Sequence, residues 1–203
     1  MTQPSSGDAI SRGLHQVSRV LAWVAGGVIL FGCSIPISID VISRFFLNET
    51  LVESFEISGY MLAACIGLGM GFTVTTKANI RIDFLTSKLP APARRIFDLV
   101  AALSLALVAG ALAWFSLDTL TQSWAMNARS ISTLQVPLAL PQGVWWFGLF
   151  WFAIVATLVP SLAIWRILRS DSGGFDKLLA PPGLSDELEQ IGADTREAAA
   201  DRP

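Results

Sequence analysis

Four long stretches of this sequence contain no charged residue, and they limit what the chain can fold into. No Asp, Glu, Lys or Arg occurs in residues 20–39, 57–76, 99–117 or 130–165. A helix needs about 20 apolar residues to cross the ~30 Å hydrocarbon core of a membrane, which is the length of the first three stretches. Pro137 and Pro141 divide the fourth stretch and leave 144–165 as its spanning part. The sequence therefore predicts an all-α integral membrane protein with four transmembrane helices.

The charged residues that do occur are concentrated outside these stretches, and the C-terminal part is acidic. Residues 171–203 hold 3 Lys/Arg and 8 Asp/Glu and few large apolar residues. A segment of this composition buries too little apolar surface to offset its chain entropy. We therefore predict three parts: an N-terminal cytoplasmic or interfacial segment (1–19), a four-span membrane domain (20–168) and an acidic, disordered cytoplasmic tail (169–203).

Basic residues near the ends of the spans predict the orientation of the chain. The N-terminal segment, the loop between the second and third spans, and the C-terminal flank together hold 10 Lys/Arg. The other two loops contain only Arg44 and Arg129. Because cytoplasmic loops carry an excess of Lys and Arg, both termini should be cytoplasmic, an N-in/C-in topology.

The two loops on the outer side mix apolar and polar residues. In residues 40–56 several Phe, Leu and Val alternate with charged residues, and residues 118–143 mix Ile, Leu and Val with Ser and Gln. This pattern is typical of amphipathic segments that lie along a membrane surface or against a partner. We predict such interfacial segments at both places.

Several kinds of chemistry have no candidate residues in this sequence. The one histidine, His15, precedes the first span, and there is no Cys/His metal motif or nucleotide-binding glycine motif. No ionisable residue lies in the central part of a span; the carboxylates closest to the spans are at their ends, where we expect solvated helix termini (Asp40, Glu56, Asp98 and Asp118). We therefore expect no enzyme, no cofactor or metal site, and no transport of a charged solute by this chain alone.

A row of small residues runs along the second span. Gly59, Ala63, Gly67 and Gly71 recur every four residues, a spacing that lets membrane helices approach closely. The row can pack within the chain's own bundle or against a partner, and the sequence favours neither. Within the chain, a second row in the third span is a candidate for the facing surface: Ala102, Ala106, Gly110 and Ala113.

Several short motifs, in order, resemble one family of membrane proteins. They are ISRFFLN at 42–48, VESFE at 52–56, KANIRIDFL at 77–85, STLQVP at 132–137 and PQG at 141–143. Together they are similar to the small, DctQ-like membrane subunit of tripartite ATP-independent periplasmic (TRAP) transporters, over about residues 15–168. One departure is Asn79, where that family often has His.

The resemblance implies a division of labour in the inner membrane of a bacterium. In such systems a periplasmic solute-binding protein captures an organic acid, and a large multi-span permease subunit imports it with sodium. The small multi-pass subunit braces the large one, so sodium is expected to bind the large partner, and membrane lipids but no nucleic acid are further partners. The alternative that remains open is a four-span assembly or adaptor protein of another membrane complex; the charge-free spans argue against a stand-alone channel or exporter.

Three groups of residues are candidates for contacts with these partners. Glu53 and Glu56 are three apart at the start of the second span and share a helix face, with Arg44 as their expected cationic partner. Arg81 and Asp83 either share one face of a structured cytoplasmic turn or serve only as a positive-inside anchor. The full set of interface candidates is Arg44, Glu53, Glu56, Gly59, Ala63, Gly67, Gly71, Arg81 and Asp83.

Overall fold

The computed structural model describes residues 6–48, 53–77, 90–132, 134–168 and 178–179. The long helices in these ranges are α1 (Ser6–Gly32), α2 (Ser34–Leu47), α3 (Ser54–Thr75), α4 (Ala91–Ala125) and α5 (Ala139–Leu168). Helix α2 continues almost directly from α1, so these two helices count as one membrane-spanning unit. Together with α3, α4 and α5 they give four units that are long and apolar enough to cross a membrane. This confirms the predicted all-α fold with four transmembrane helices.

The junction between α1 and α2 is a local break in one long helical segment. Pro36 has no backbone N–H to donate to the carbonyl of Gly32, and its ring crowds that carbonyl. The helix therefore ends at Gly32 and restarts at Ser34, with Pro36 in the first turn of α2, where proline is tolerated.

The helices extend well beyond the charge-free stretches. Helix α4 has 35 residues, about 52 Å at the usual rise, although the predicted span covers only its centre. Its first turns contain the charged residues Arg94, Arg95 and Asp98. Such residues can lie in a helix, but they are costly in the hydrocarbon core. The charge-free stretches therefore cover only part of each helix, and the loop between α4 and α5 is reduced to residues 126–138.

The helices pack in the spatial order α1, α3, α5, α4. Helix α5 packs along both α3 and α4, and α3 also packs along α1. Val155 and Ala163 of α5 are fully buried, as expected for a helix with neighbours on two sides. The described helices therefore form a layer with α3 and α5 at its centre and broad faces on either side.

The small residues of α4 face α5, so the prediction that they face the row of α3 is wrong. Ala102 packs with Ala163, and Ala109 packs with Phe152 and Ala156. Gly110 has open space where a side chain would begin. The reason is the order of the layer, in which α5 lies between α3 and α4.

Two residues of the predicted tail lie against the helices. Leu179 is 2% exposed and packs with Ala102 and Ala163, and Leu178 lies beside it. The expectation of a solvated tail does not hold at these two positions, because they cover an apolar groove between α4 and α5. The remainder of the tail lies outside the described residues.

The antiparallel packing defines two ends of the layer. The start of α1, the end of α3, the start of α4 and the end of α5 meet at what we call the Arg12 end. The end of α2, the start of α3 and loop 126–138 meet at what we call the Glu56 end.

Candidate functional site

A buried carboxylate at the Glu56 end ties α2 to the start of α3. Asp40 accepts a hydrogen bond from Arg44 Nε at 3.0 Å through one oxygen and from the Ser54 hydroxyl at 2.6 Å through the other. The side chain of Asp40 is 6% exposed, whereas that of Arg44 is 61% exposed. A carboxylate is retained in such a place when its oxygens are paired and hydrogen-bonded. The expectation of a solvated helix terminus at Asp40 is therefore wrong.

A second carboxylate ties loop 126–138 to α3. Glu56 accepts hydrogen bonds from the hydroxyls of Tyr60, one turn further along α3, and Ser132, in the loop. The loop is closed by an antiparallel bridge between Arg129 and Pro137. Glu56 thus fixes a preformed loop over the start of α3.

The predicted site residues Arg44, Glu53 and Glu56 all lie at the Glu56 end, at the end of α2 and the start of α3, but the pairing of Arg44 and Glu56 differs from the expectation. The ion pair of Arg44 is with Asp40, on its own helix, and the partners of Glu56 are hydroxyl groups. Sequence reasoning missed the role of Asp40, although its i, i+4 spacing to Arg44 is the spacing of a helical ion pair. Asp98 at the other end is likewise buried, with Arg94 one turn earlier at 4.0 Å, whereas Asp118 is exposed as expected.

Exposed apolar side chains surround the two carboxylate clusters. Phe45 and Phe46 at the end of α2 are 80% and 75% exposed, and their rings meet edge to face at 5.1 Å. Phe55 at the start of α3 is 92% exposed, and Ile131 in the loop is fully exposed. We call these four residues the Glu56-end surface. Apolar side chains exposed in this number mark a contact with a membrane or another protein.

The glycine row of α3 divides into two halves. A side-chain carbon at Gly67 would lie 3.0 Å from the carbonyl oxygen of Trp145, and one at Gly71 would lie 2.6 Å from the ring of Trp151. These two positions therefore pack within the chain, against α5. Gly59 has open space, and Ala63 is half-buried, so that half of the row remains available to a partner.

The residue that faces the row is a glycine of α5 that sequence reasoning did not single out. A side-chain carbon at Gly148 would lie 2.3 Å from the carbonyl carbon of Gly67. Gly148 lies in the run between Trp146 and Trp151, where no repeated spacing of small residues marks it.

Two predicted site residues, Arg81 and Asp83, lie outside the described residues. Within the described ranges, no group of three or more His, Cys, Asp or Glu side chains is arranged to hold a metal ion. The geometry that the described residues do provide is two hydrogen-bonded carboxylates at the Glu56 end, surrounded by exposed aromatic rings.

Four helices of this chain are long and apolar enough to cross a membrane, and the two carboxylate clusters lie at one end of the layer. These features define a multi-pass membrane protein. Residues 33–163 match the family described as tripartite ATP-independent periplasmic transporters, DctQ component. That match covers more than half of the chain, and the chain belongs to this family of transporter components. Neither a curated protein nor a solved structure matches the chain. Membership confirms the resemblance found in the sequence and favours a transporter component over an assembly factor.

Proposed function

We propose that this chain is the small permease subunit of a sodium-coupled secondary transporter that imports an organic acid in cooperation with a periplasmic binding protein. Its role is to brace the large permease subunit, to which sodium and the solute bind. Membership of the DctQ family supports the assignment to a tripartite system. The absence of ionisable residues from the central part of every predicted span supports a bracing role, since carriers of charged solutes place such residues there.

The main support for the bracing role is where the polar and the apolar side chains lie in the helix layer. Asp40 and Glu56 are hydrogen-bonded to their own chain, so they stabilise this chain's structure. The faces of the layer are apolar and exposed; in α4, Leu107, Trp114 and Phe115 are each about 70% exposed. In lipid, such faces are covered by lipid or by another membrane subunit, and the uncovered glycines Gly59 and Gly110 permit the close approach that packing against a subunit needs.

We further propose that the Glu56 end faces the periplasm and that both termini are cytoplasmic, in a bacterial inner membrane. The described cations support this orientation through the positive-inside rule. The Glu56 end has two, Arg44 and Arg129, whereas the Arg12 end has six: Arg12, Arg19, Lys77, Arg94, Arg95 and Arg166. The Glu56-end surface is then available to dock the binding protein, and Arg81 and Asp83 stay candidates for contacts on the cytoplasmic side.

Substrate competition tests whether this chain braces or binds solute. We expect Arg44→Gln and Glu56→Gln to lower the amount of assembled complex or the docking of the binding protein, with the ranking of competing organic acids unchanged. Asp118→Asn, at an exposed position, is the matched control. A change in the ranking while assembly stays intact would contradict the bracing role.

A further inference from the structure

A pocket of about 290 Å³ at the Arg12 end is not used by the proposed function. It lies where the first turns of α1 meet the end of α3, and Val159 of α5 and Leu178 of the tail complete its wall. The pocket therefore joins four parts of the chain that are distant in sequence.

The polar lining of the pocket is cationic or hydroxylic. Arg12 and Lys77 contribute two positive charges, and Ser11 contributes a hydroxyl group. The Thr75 hydroxyl also lines the pocket, but it is already hydrogen-bonded to the Phe72 carbonyl at 3.0 Å and to His15. His15 is held in place by a 3.3 Å hydrogen bond between its Nδ1 and the Thr75 hydroxyl. The charged side chains among the described lining residues are both cations, and their N–H donors suit an anion with several acceptor oxygens.

The rest of the lining is apolar. Leu14, which is 8% exposed, lies with Val74, Val159 and Leu178 beneath the polar groups. A small inorganic anion has no apolar surface to bury against these residues, whereas an anion attached to a hydrocarbon chain can bury part of that chain there. The combination favours an amphiphilic ligand.

The pocket also lies beside the headgroup region, between the end of the charge-free stretch of α3 and residues Arg12–His15 of α1. The charge-free stretch of α1 begins at Val20, five to eight residues after Arg12–His15, a distance of about 7–12 Å along the helix. Lys77 follows directly on the charge-free stretch of α3. The headgroup region on each side of a membrane has a depth of about 5–8 Å, so the pocket is next to it.

We propose that this pocket binds the phosphate of an anionic phospholipid, with Arg12 and Lys77 as the charged contacts and His15 as a hydrogen-bonding partner. Basic pockets between transmembrane helices on the cytoplasmic side are typical sites for anionic headgroups. The lipid would link α1, α3 and the tail from one side of the layer. This inference rests on the proposed orientation of the chain in a membrane and does not depend on transport.

Native mass spectrometry of the full chain in detergent tests the proposal with phosphatidylglycerol and, for comparison, zwitterionic phosphatidylcholine. We expect tighter retention of phosphatidylglycerol and a loss of about thirtyfold in its affinity in Arg12→Gln/Lys77→Gln. Arg94→Gln/Arg95→Gln removes the same charge at the same end but outside the pocket, and it should keep the original affinity. Equal retention by both double variants would overturn the proposal.

Two further measurements guard against a variant that fails to fold and identify the source of the phosphate. A photoactivatable phosphatidylglycerol should label peptides containing residues 11–15 or 74–77 of the unaltered chain, and labelling confined to other helices would overturn the proposal. Glycerol phosphate serves as the soluble probe. If it binds with the same dependence on Arg12 and Lys77 and the lipid does not, the phosphate site stands and its ligand is soluble; if neither probe binds, the proposal fails.

Discussion

The backbones of α5 and α3 are in direct contact at Gly148 and Gly67, since a side-chain carbon at Gly148 would lie 2.3 Å from the carbonyl carbon of Gly67. In lipid there is no hydrophobic drive between helices, so association relies on dispersion and on such close approach. The two central helices of the layer can pack at this distance only because both positions lack a side chain.

Replacement of Gly148 by Ala should therefore destabilise the chain. The added carbon meets backbone atoms, which cannot move aside as a flexible side chain can, and overpacking of this kind costs about 1–3 kcal/mol or more. Thermal unfolding in detergent measures the effect. Gly110→Ala, at a helical position with open space, is the control. Equal melting temperatures for the two variants would show that α3 and α5 are not in direct backbone contact at Gly67 and Gly148.

Removal of the Asp40 carboxylate should loosen the junction of α2 and α3. In Asp40→Ala the Ser54 hydroxyl and the Arg44 guanidinium both lose their acceptor. We expect a lower melting temperature than in Asp118→Ala, where an exposed carboxylate loses only a hydrogen bond from Gln122. The account of Asp40 as a structural tie would be wrong if both variants unfold at the same temperature.

The contact between Glu56 and Ser132 should hold loop 126–138 in place. Ser132→Ala removes the hydroxyl that donates to Glu56 and that also accepts from the Ser130 hydroxyl and the Leu134 N–H within the loop, so amide hydrogen exchange in the loop should become faster. Ser161→Ala is a suitable control because its hydroxyl bonds only to the Thr157 carbonyl of its own helix. Unchanged loop protection in Ser132→Ala would mean that the bridge between Arg129 and Pro137 fixes the loop without the Ser132 hydroxyl.

Labelling of single cysteines should establish the orientation. In a chain with Cys33 and Cys65 replaced by Ala, a membrane-impermeant thiol reagent applied from the periplasm should label Ile131→Cys and leave Gly13→Cys unlabelled. Ile131 is fully exposed, and Gly13 has open space around it. Labelling of Gly13→Cys but not of Ile131→Cys would show that the topology is the reverse of the one proposed.

The existence of the helices could be predicted from the sequence, whereas their contacts could not. Charge-free stretches identify spans because a charge in hydrocarbon is costly, but they do not show that α4 continues through Arg94 and Asp98. The spacing of glycines in α3 identifies a packing row but not its partner, which depends on the spatial order of the helices. Asp40 resembles any helix terminus until Ser54, 14 residues later, folds back onto it.

The central claim, that this chain braces a transporter and does not bind the solute, is tested most directly by reconstitution. The large permease subunit and the binding protein are placed in proteoliposomes with and without this chain, and sodium-driven uptake of a labelled organic acid is measured. We predict uptake only when this chain is present, and no binding of the labelled acid to this chain purified alone. Full uptake in its absence, or binding of the acid to the purified chain, would contradict the claim.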